Sequence, residues 1–285
     1  MKIGIESAKY LRRYGVEAGV EKMRRHGFEA MDYSDLCNTE TPLWALPERE
    51  FEQTLTAQRH VVEAAGIEIY QAHGPWRFPM RDFTAADRAE RFEKMAKAIR
   101  GCAVLGCPHM VIHNMMPYGA ADISKQVVWD INADFMTRLA DVGREYGVTV
   151  CMENMPFTHQ HLATPAALFA FIKALDHPYL RMCLDTGHAS VFKNGMSPAD
   201  AARLWGTDYL RTLHVHDNNG KHDNHWTPGT EGGVIDWADF TKALLEIGYE
   251  GVLSLECGIY ESDPAVQEQK EIALAQTALK LAGRA

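Results

Sequence analysis

The sequence predicts a single-domain α/β protein, a (β/α)8 TIM barrel spanning residues 1–285. Three observations predict it. Short apolar runs alternate with longer amphipathic segments along the whole chain. The spacing averages roughly 36 residues per unit, which suits a barrel of about 250 residues plus its loops. No stretch rich in glycine, proline or serine divides the chain, and no tract is of low complexity.

The strand-like runs follow in order: KIGIES (2–7), FEAMDY (28–33), IEIYQAH (67–73), HMVIH (109–113), VTVCMEN (148–154), LRMCLD (180–185), LRTLHVHD (210–217) and GVLSLEC (251–257). Helix-like segments fall between them. PEREFEQTLTAQRHVVEAAG and AADRAERFEKMAKAIRGCAVLG both carry apolar residues at helical spacing and stop at a glycine. AVQEQKEIALAQTALKLAG is the last of the kind.

The chain has 46% hydrophobic residues, enough for a sizeable core, and a formal net charge of -9. An acidic protein repels polyanions on average, which disfavours nucleic acid as a partner. The first residues lack an apolar leader, and no apolar run approaches the roughly 18 residues of a membrane span. Six cysteines occur without a C-x-x-C pair. The expectation is a cytoplasmic protein with reduced thiols and no membrane partner. A homo-oligomer stays open.

The strand ends carry the chemistry. The third run ends in His73, the fourth in His113, the fifth reaches Glu153 and the sixth ends in Asp185; the seventh contains His214 and the eighth Glu256. In this barrel the C-terminal strand ends share one rim, where active sites lie. One such residue is ordinarily solvated or capped, but six on one rim form a set of metal-type donors. Glu153, Asp185 and Glu256 would repel one another there, and a divalent cation removes that cost. Residues two apart on a strand face the same way. Gln71, Val111, Cys151, Cys183, Thr212 and Ser254 should therefore form a packed layer beneath the six, with Cys151 and Cys183 as core filler.

The motifs AHGPW, VIHNMMP, CMENMP, CLDTGHA, HVHDN, DNHWTPGTEGG and LSLEC together resemble the xylose isomerase-like TIM barrel superfamily. That group includes sugar isomerases and epimerases, a dehydroshikimate dehydratase and abasic-site nucleases of the endonuclease IV type. The resemblance implies a central metal on Glu153, Asp185, His214 and Glu256. It favours His214 over His216, because the family pattern of histidine, two residues, then aspartate reads His214 to Asp217. It places His188 where epimerases contact substrate and nucleases hold metal. His73, His113, Asp223 and His225 match the remaining nuclease ligands, so all nine positions of a three-metal pattern are occupied.

Two enzyme chemistries follow from the resemblance. In a sugar isomerase or epimerase, or a related lyase, Glu153 and Glu256 would pass a proton through an enediolate while the metal polarises the carbonyl. His188, His73, Trp76, His113 and His225 would contact a small carbohydrate. Mn, Co, Zn, Fe or Mg would suit the donor set. The alternative is a metal-dependent phosphodiesterase on abasic DNA, with a multinuclear site on the nine ligands. Lys9, Arg12, Arg13, Arg77 and Arg81 lie in the early loops, but Asp32, Asp35, Glu40 and Asp82 accompany them, so no basic track forms. A non-catalytic sugar sensor would leave the carboxylate pair unused.

Aromatic groups near the rim could shape a pocket: Trp76, Phe157 and Trp226 are candidates to stack on a sugar, with plain loop packing as the alternative. Glu6 could bind hydroxyls or pair with a buried arginine. His159 and His161 read as solvated loop residues.

Overall fold

The computed structural model describes residues 1–76, 82–116, 124–157, 160–191 and 196–284. Eight strands are parallel: β1 (Lys2–Glu6), β2 (Ala30–Tyr33), β3 (Glu68–His73), β4 (His109–Ile112), β5 (Thr149–Glu153), β6 (Leu180–Asp185), β7 (Leu210–His214) and β8 (Val252–Leu255). Their order is β7-β6-β5-β4-β3-β2-β1-β8, so chain neighbours are also spatial neighbours and β1 lies beside β8. A bridge from Val215 to Leu255 joins β7 to β8. There the Val215 N–H donates to Ser254 O (2.8 Å) and the Glu256 N–H to Val215 O (3.1 Å).

Parallel strands need crossovers, and helices supply them. The crossover from β3 to β4 shows how local sequence sets its limits. Thr84 and Asp87 form a capping box at the start of Ala85–Leu105, and Gly106 ends it in the left-handed region at φ 68. The expected helices after β2 and β8 run over Glu48–Ala64 and Pro264–Leu281, the latter capped by Asp263. Among the described residues no helix is long and apolar enough to cross a membrane.

The layer inside the barrel is the one the alternation predicts. Gln71, Val111, Cys151, Cys183, Thr212 and Ser254 are all buried. Val111, Cys151 and Cys183 pack together as their own apolar cluster. Burial pushes the Cys151 thiol up to about 12 and the Cys183 thiol well above its ordinary value, so both are inert filler. The larger core lies between strands and helices, and Trp205, Phe51, Phe171 and Phe240 are fully buried in it. Strand β2 departs from simple alternation: its pairing with β3 shifts register between Met31 and Asp32, and Asp32 comes to lie opposite Gln71.

Candidate metal centre

Strands β5, β6 and β7 end on Glu153, Asp185 and His214, and Glu256 follows β8 by one residue. Donor atoms of these four residues lie within 4.8 Å of one another. His214 Nδ1 is 3.1 Å from Glu153 Oε1 and 3.3 Å from Glu256 Oε2. Three of the four side chains are at most 1% exposed, and that of Glu256 is 23% exposed at the open end.

Residues between the donors lock the strand ends together. The Asn154 side chain bonds the Asp185 backbone both ways, donating to its carbonyl (3.0 Å) and accepting from its N–H (2.9 Å). The Thr186 hydroxyl treats His216 likewise, donating to its carbonyl (2.8 Å) and accepting from its N–H (3.0 Å). Asp185 Oδ1 accepts from the His188 N–H (2.6 Å) and so caps the short helix Thr186–Ser190. A Cβ on Gly187 would sit 2.0 Å from His216 Cε1, so glycine is required there for His216 to pack. His216 in turn places Nε2 3.0 Å from Asp185 Oδ2. Each position of the DTGH motif thus has its own physical reason.

Two further groups flank the four. His73 Nε2 and His113 Nε2 are 3.1 Å apart, and they lie 3.5 and 3.1 Å from Glu153 Oε2. On the other side, His188, His216, Asp223 and His225 bring donors within 4.8 Å. Asp223 Oδ2 is 3.2 Å from His188 Nε2 and 3.3 Å from His225 Nε2. The structure therefore gathers all nine expected donors, with His216 as a tenth.

Burial opposes charge on these groups, but their neighbours overrule it. Against the effect of burial, Asp185, Asp223 and Glu153 hold the His188 imidazole well above its ordinary range. Glu256, Glu153 and Asp32 do the same for His214. Burial also works against charge on His225, yet Asp223, Glu256 and Asp185 lift it to about 9. Burial wins at His113 and lowers it to about 4. The two glutamates separate: burial raises Glu256, whereas His214, His113 and His188 hold the buried Glu153 well below its ordinary range. The carboxylates draw positive charge into the cavity, and the donor set of oxygens and imidazole nitrogens fits a divalent cation.

The cavity has a volume of about 160 Å³ and is lined by Glu6, Asp32, His73, Trp76, His113, Glu153, Phe157, His188, Asp223, His225 and Glu256, among others. Among the described residues its lining holds no lysine or arginine. Trp76 sets its ring 4.9 Å from that of His113, edge to face. Glu6, at the end of β1, pairs with Lys9 at 3.1 Å rather than with a buried arginine. Trp226 is not among the residues lining the cavity, and its backbone pairs with that of Asp217 in both directions (2.8 and 2.9 Å). His161 lies on its loop, away from this lining; Arg77, Arg81 and His159 lie outside the described residues.

Sequence reasoning missed Asp32, Asn154, Thr186 and the role of Asp217, and set His216 aside in favour of His214. Asp217 organises the loop after β7. Its carboxylate accepts from the N–H groups of Asn218 (2.8 Å), Val234 (3.2 Å) and Gly229 (3.3 Å) and from Trp237 Nε1 (2.8 Å). A Cβ on Gly233 would lie 2.4 Å from Asp217 Oδ2, which explains the second glycine of TEGG. The clamp delivers His225 to the rim with φ 50, an unusual value for a non-glycine residue. There His225 stacks on His216 at 4.0 Å and places Nδ1 2.7 Å from Glu256 O.

Comparison with known proteins agrees with this architecture. Residues 20–280 match the family model described as a xylose isomerase-like TIM barrel. An uncharacterized protein of Methanocaldococcus jannaschii is 27% identical over 263 residues, covering 90% of this chain and 83% of its own length. A D-psicose 3-epimerase of Ruminiclostridium cellulolyticum is 30% identical over 135 residues, 47% of this chain and 43% of that enzyme. The crystal structure of a D-psicose 3-epimerase in the presence of D-fructose superposes with a TM-score of 0.79 at 19% identity, covering 99% of this chain and 100% of the other.

Proposed function

Because the chain belongs to the xylose isomerase-like TIM barrel family, we propose that it is a divalent-metal-dependent isomerase or epimerase of a sugar or sugar-like keto compound. One observation carries this reading: Glu153, Asp185, His214 and Glu256 converge from four successive strands at the barrel mouth, with donors within 4.8 Å. The similarity to a D-psicose 3-epimerase supports the substrate class. The four residues would hold Mn, Co, Zn or Mg, and the ion would polarise the substrate carbonyl.

Glu153 and Glu256 form the proton-transfer pair. Their surroundings push them apart: burial raises Glu256, while the neighbouring imidazoles hold Glu153 low. One takes the proton from the carbon beside the carbonyl; the other returns a proton to the neighbouring carbon or to the opposite face. The substrate passes through an enediolate between the two transfers. His188 would bond a substrate hydroxyl or carbonyl oxygen, and His73, Trp76, His113 and His225 would contact the rest of a small carbohydrate.

A second reading has its own observation. The two flanking clusters complete a nine-donor set suited to a multinuclear phosphodiesterase of the abasic-site endonuclease type. A ketose panel in deuterated water, with Mn or Co supplied, separates the two. Deuterium should enter at the carbon beside the carbonyl, because the catalytic base trades its proton with solvent. No exchange across the panel, together with cleavage of abasic-site DNA, would replace the first reading with the second.

A further inference from the structure

We infer that Asp32 is a positioning residue that commits His214 to binding a metal through Nδ1, and that Gln71 holds Asp32 in that role. The inference rests on the metal reading above and names residues outside its donor set.

Asp32 is 2% exposed and sits where the β2–β3 register shifts. Its Oδ2 lies 2.9 Å from His214 Nε2 and accepts from Gln71 Nε2 at 2.8 Å. Its Oδ1 is buried without a hydrogen-bond partner. A buried carboxylate left half-satisfied is costly to stability, so its presence calls for a use. An ionised carboxylate only accepts hydrogen bonds, so His214 Nε2 must carry the hydrogen that faces it. Nδ1, which faces Glu153 Oε1 and Glu256 Oε2 at 3.1 and 3.3 Å, is then the nitrogen that binds a metal once its proton leaves. Such a cluster of acceptors is satisfied by a cation.

Without Asp32 the neutral imidazole is free to take the other tautomer. Its Nδ1–H would then donate to Glu153 and Glu256 and close the site against a metal. Gln71 prevents drift of the carboxylate, since its Nε2 also donates to Leu213 O (3.2 Å), the residue before His214. Carboxylates that orient ligand histidines in this way typically change metal affinity by about 10–100-fold when removed.

The test is Co2+ binding by calorimetry to protein stripped with chelator, alongside the melting midpoint of each stripped sample. Asp32→Ala should weaken Co2+ binding by about 10–100-fold. Asp32→Asn keeps an oxygen that can accept from Nε2–H, so its affinity should fall between the two, with a midpoint no lower than wild type. If Asp32→Ala fails to fold, the Asn variant carries the test alone. A Co2+ affinity in the folded variants equal to wild type overturns the positioning role, and a lowered midpoint with that unchanged affinity reassigns Asp32 to the scaffold. Wild-type protein that binds no Co2+ overturns the metal reading and this inference together, an outcome distinct from the first.

Discussion

Glu153, Asp185 and His214 end strands, whereas Asp223 and His225 hang on the loop after β7. Glu153 of the first set and both residues of the second line one cavity. The strand-borne side chains are at most 1% exposed, against 31% for Asp223 and 32% for His225. The strand set is held by ladder bonds and by Asn154 and Thr186, which tie neighbouring strand ends together. The loop that bears the second pair is clamped by Asp217, and the pair itself touches His188, His216 and Glu256 O. The difference teaches a division of labour: rigid elements carry the most buried groups, whose geometry must not vary, and a clamped loop carries the more exposed pair.

Substitution at the strand set should have the largest effect. Glu153→Gln or Glu256→Gln should lower kcat by about 10²–10⁴-fold with the circular dichroism unchanged. Either variant retaining most of its turnover would remove that residue from proton transfer. Asp185→Asn and His214→Ala should instead lower metal content, since each removes a donor. Full metal occupancy in both, measured by elemental analysis, would place the ligands elsewhere.

A smaller loss should follow at the clamp. Asp217→Ala removes an acceptor shared by three backbone N–H groups and the Trp237 indole, and should cost about 1–3 kcal/mol in chemical denaturation. The expected companion is a raised KM with metal still bound, because the strand set does not lean on this loop. Metal loss in Asp217→Ala would mean that loop and strand donors form one unit, and the division of labour would fail.

The barrel was legible because the hydrophobic period changes from strand to helix and back eight times, a signal each element carries locally. The nine candidate donors that come together were named from the sequence too, six of them as strand-end histidines and carboxylates and the rest through the family resemblance. What the sequence hid were the groups that act through other groups. Asp32 reads as an ordinary acid near the end of β2, and its places opposite Gln71 and beside His214 are seen only in the folded chain. Asn154 and Thr186 bond backbone atoms about thirty residues away, which no local pattern reveals. His216 looked like a rival ligand to His214. Its contact with Asp185 Oδ2 and its packing on Gly187 suit a residue that orients Asp185.

The most direct test of the central claim is the metal content per chain of wild-type protein and of the double variant Asp223→Asn with His225→Ala. If the strand set is the catalytic centre, the tightly bound equivalent stays in both proteins, and the double change acts on KM. If the double variant is instead stripped of its metal, strand and loop donors form one multinuclear site, and the assignment of the centre to Glu153, Asp185, His214 and Glu256 alone is contradicted.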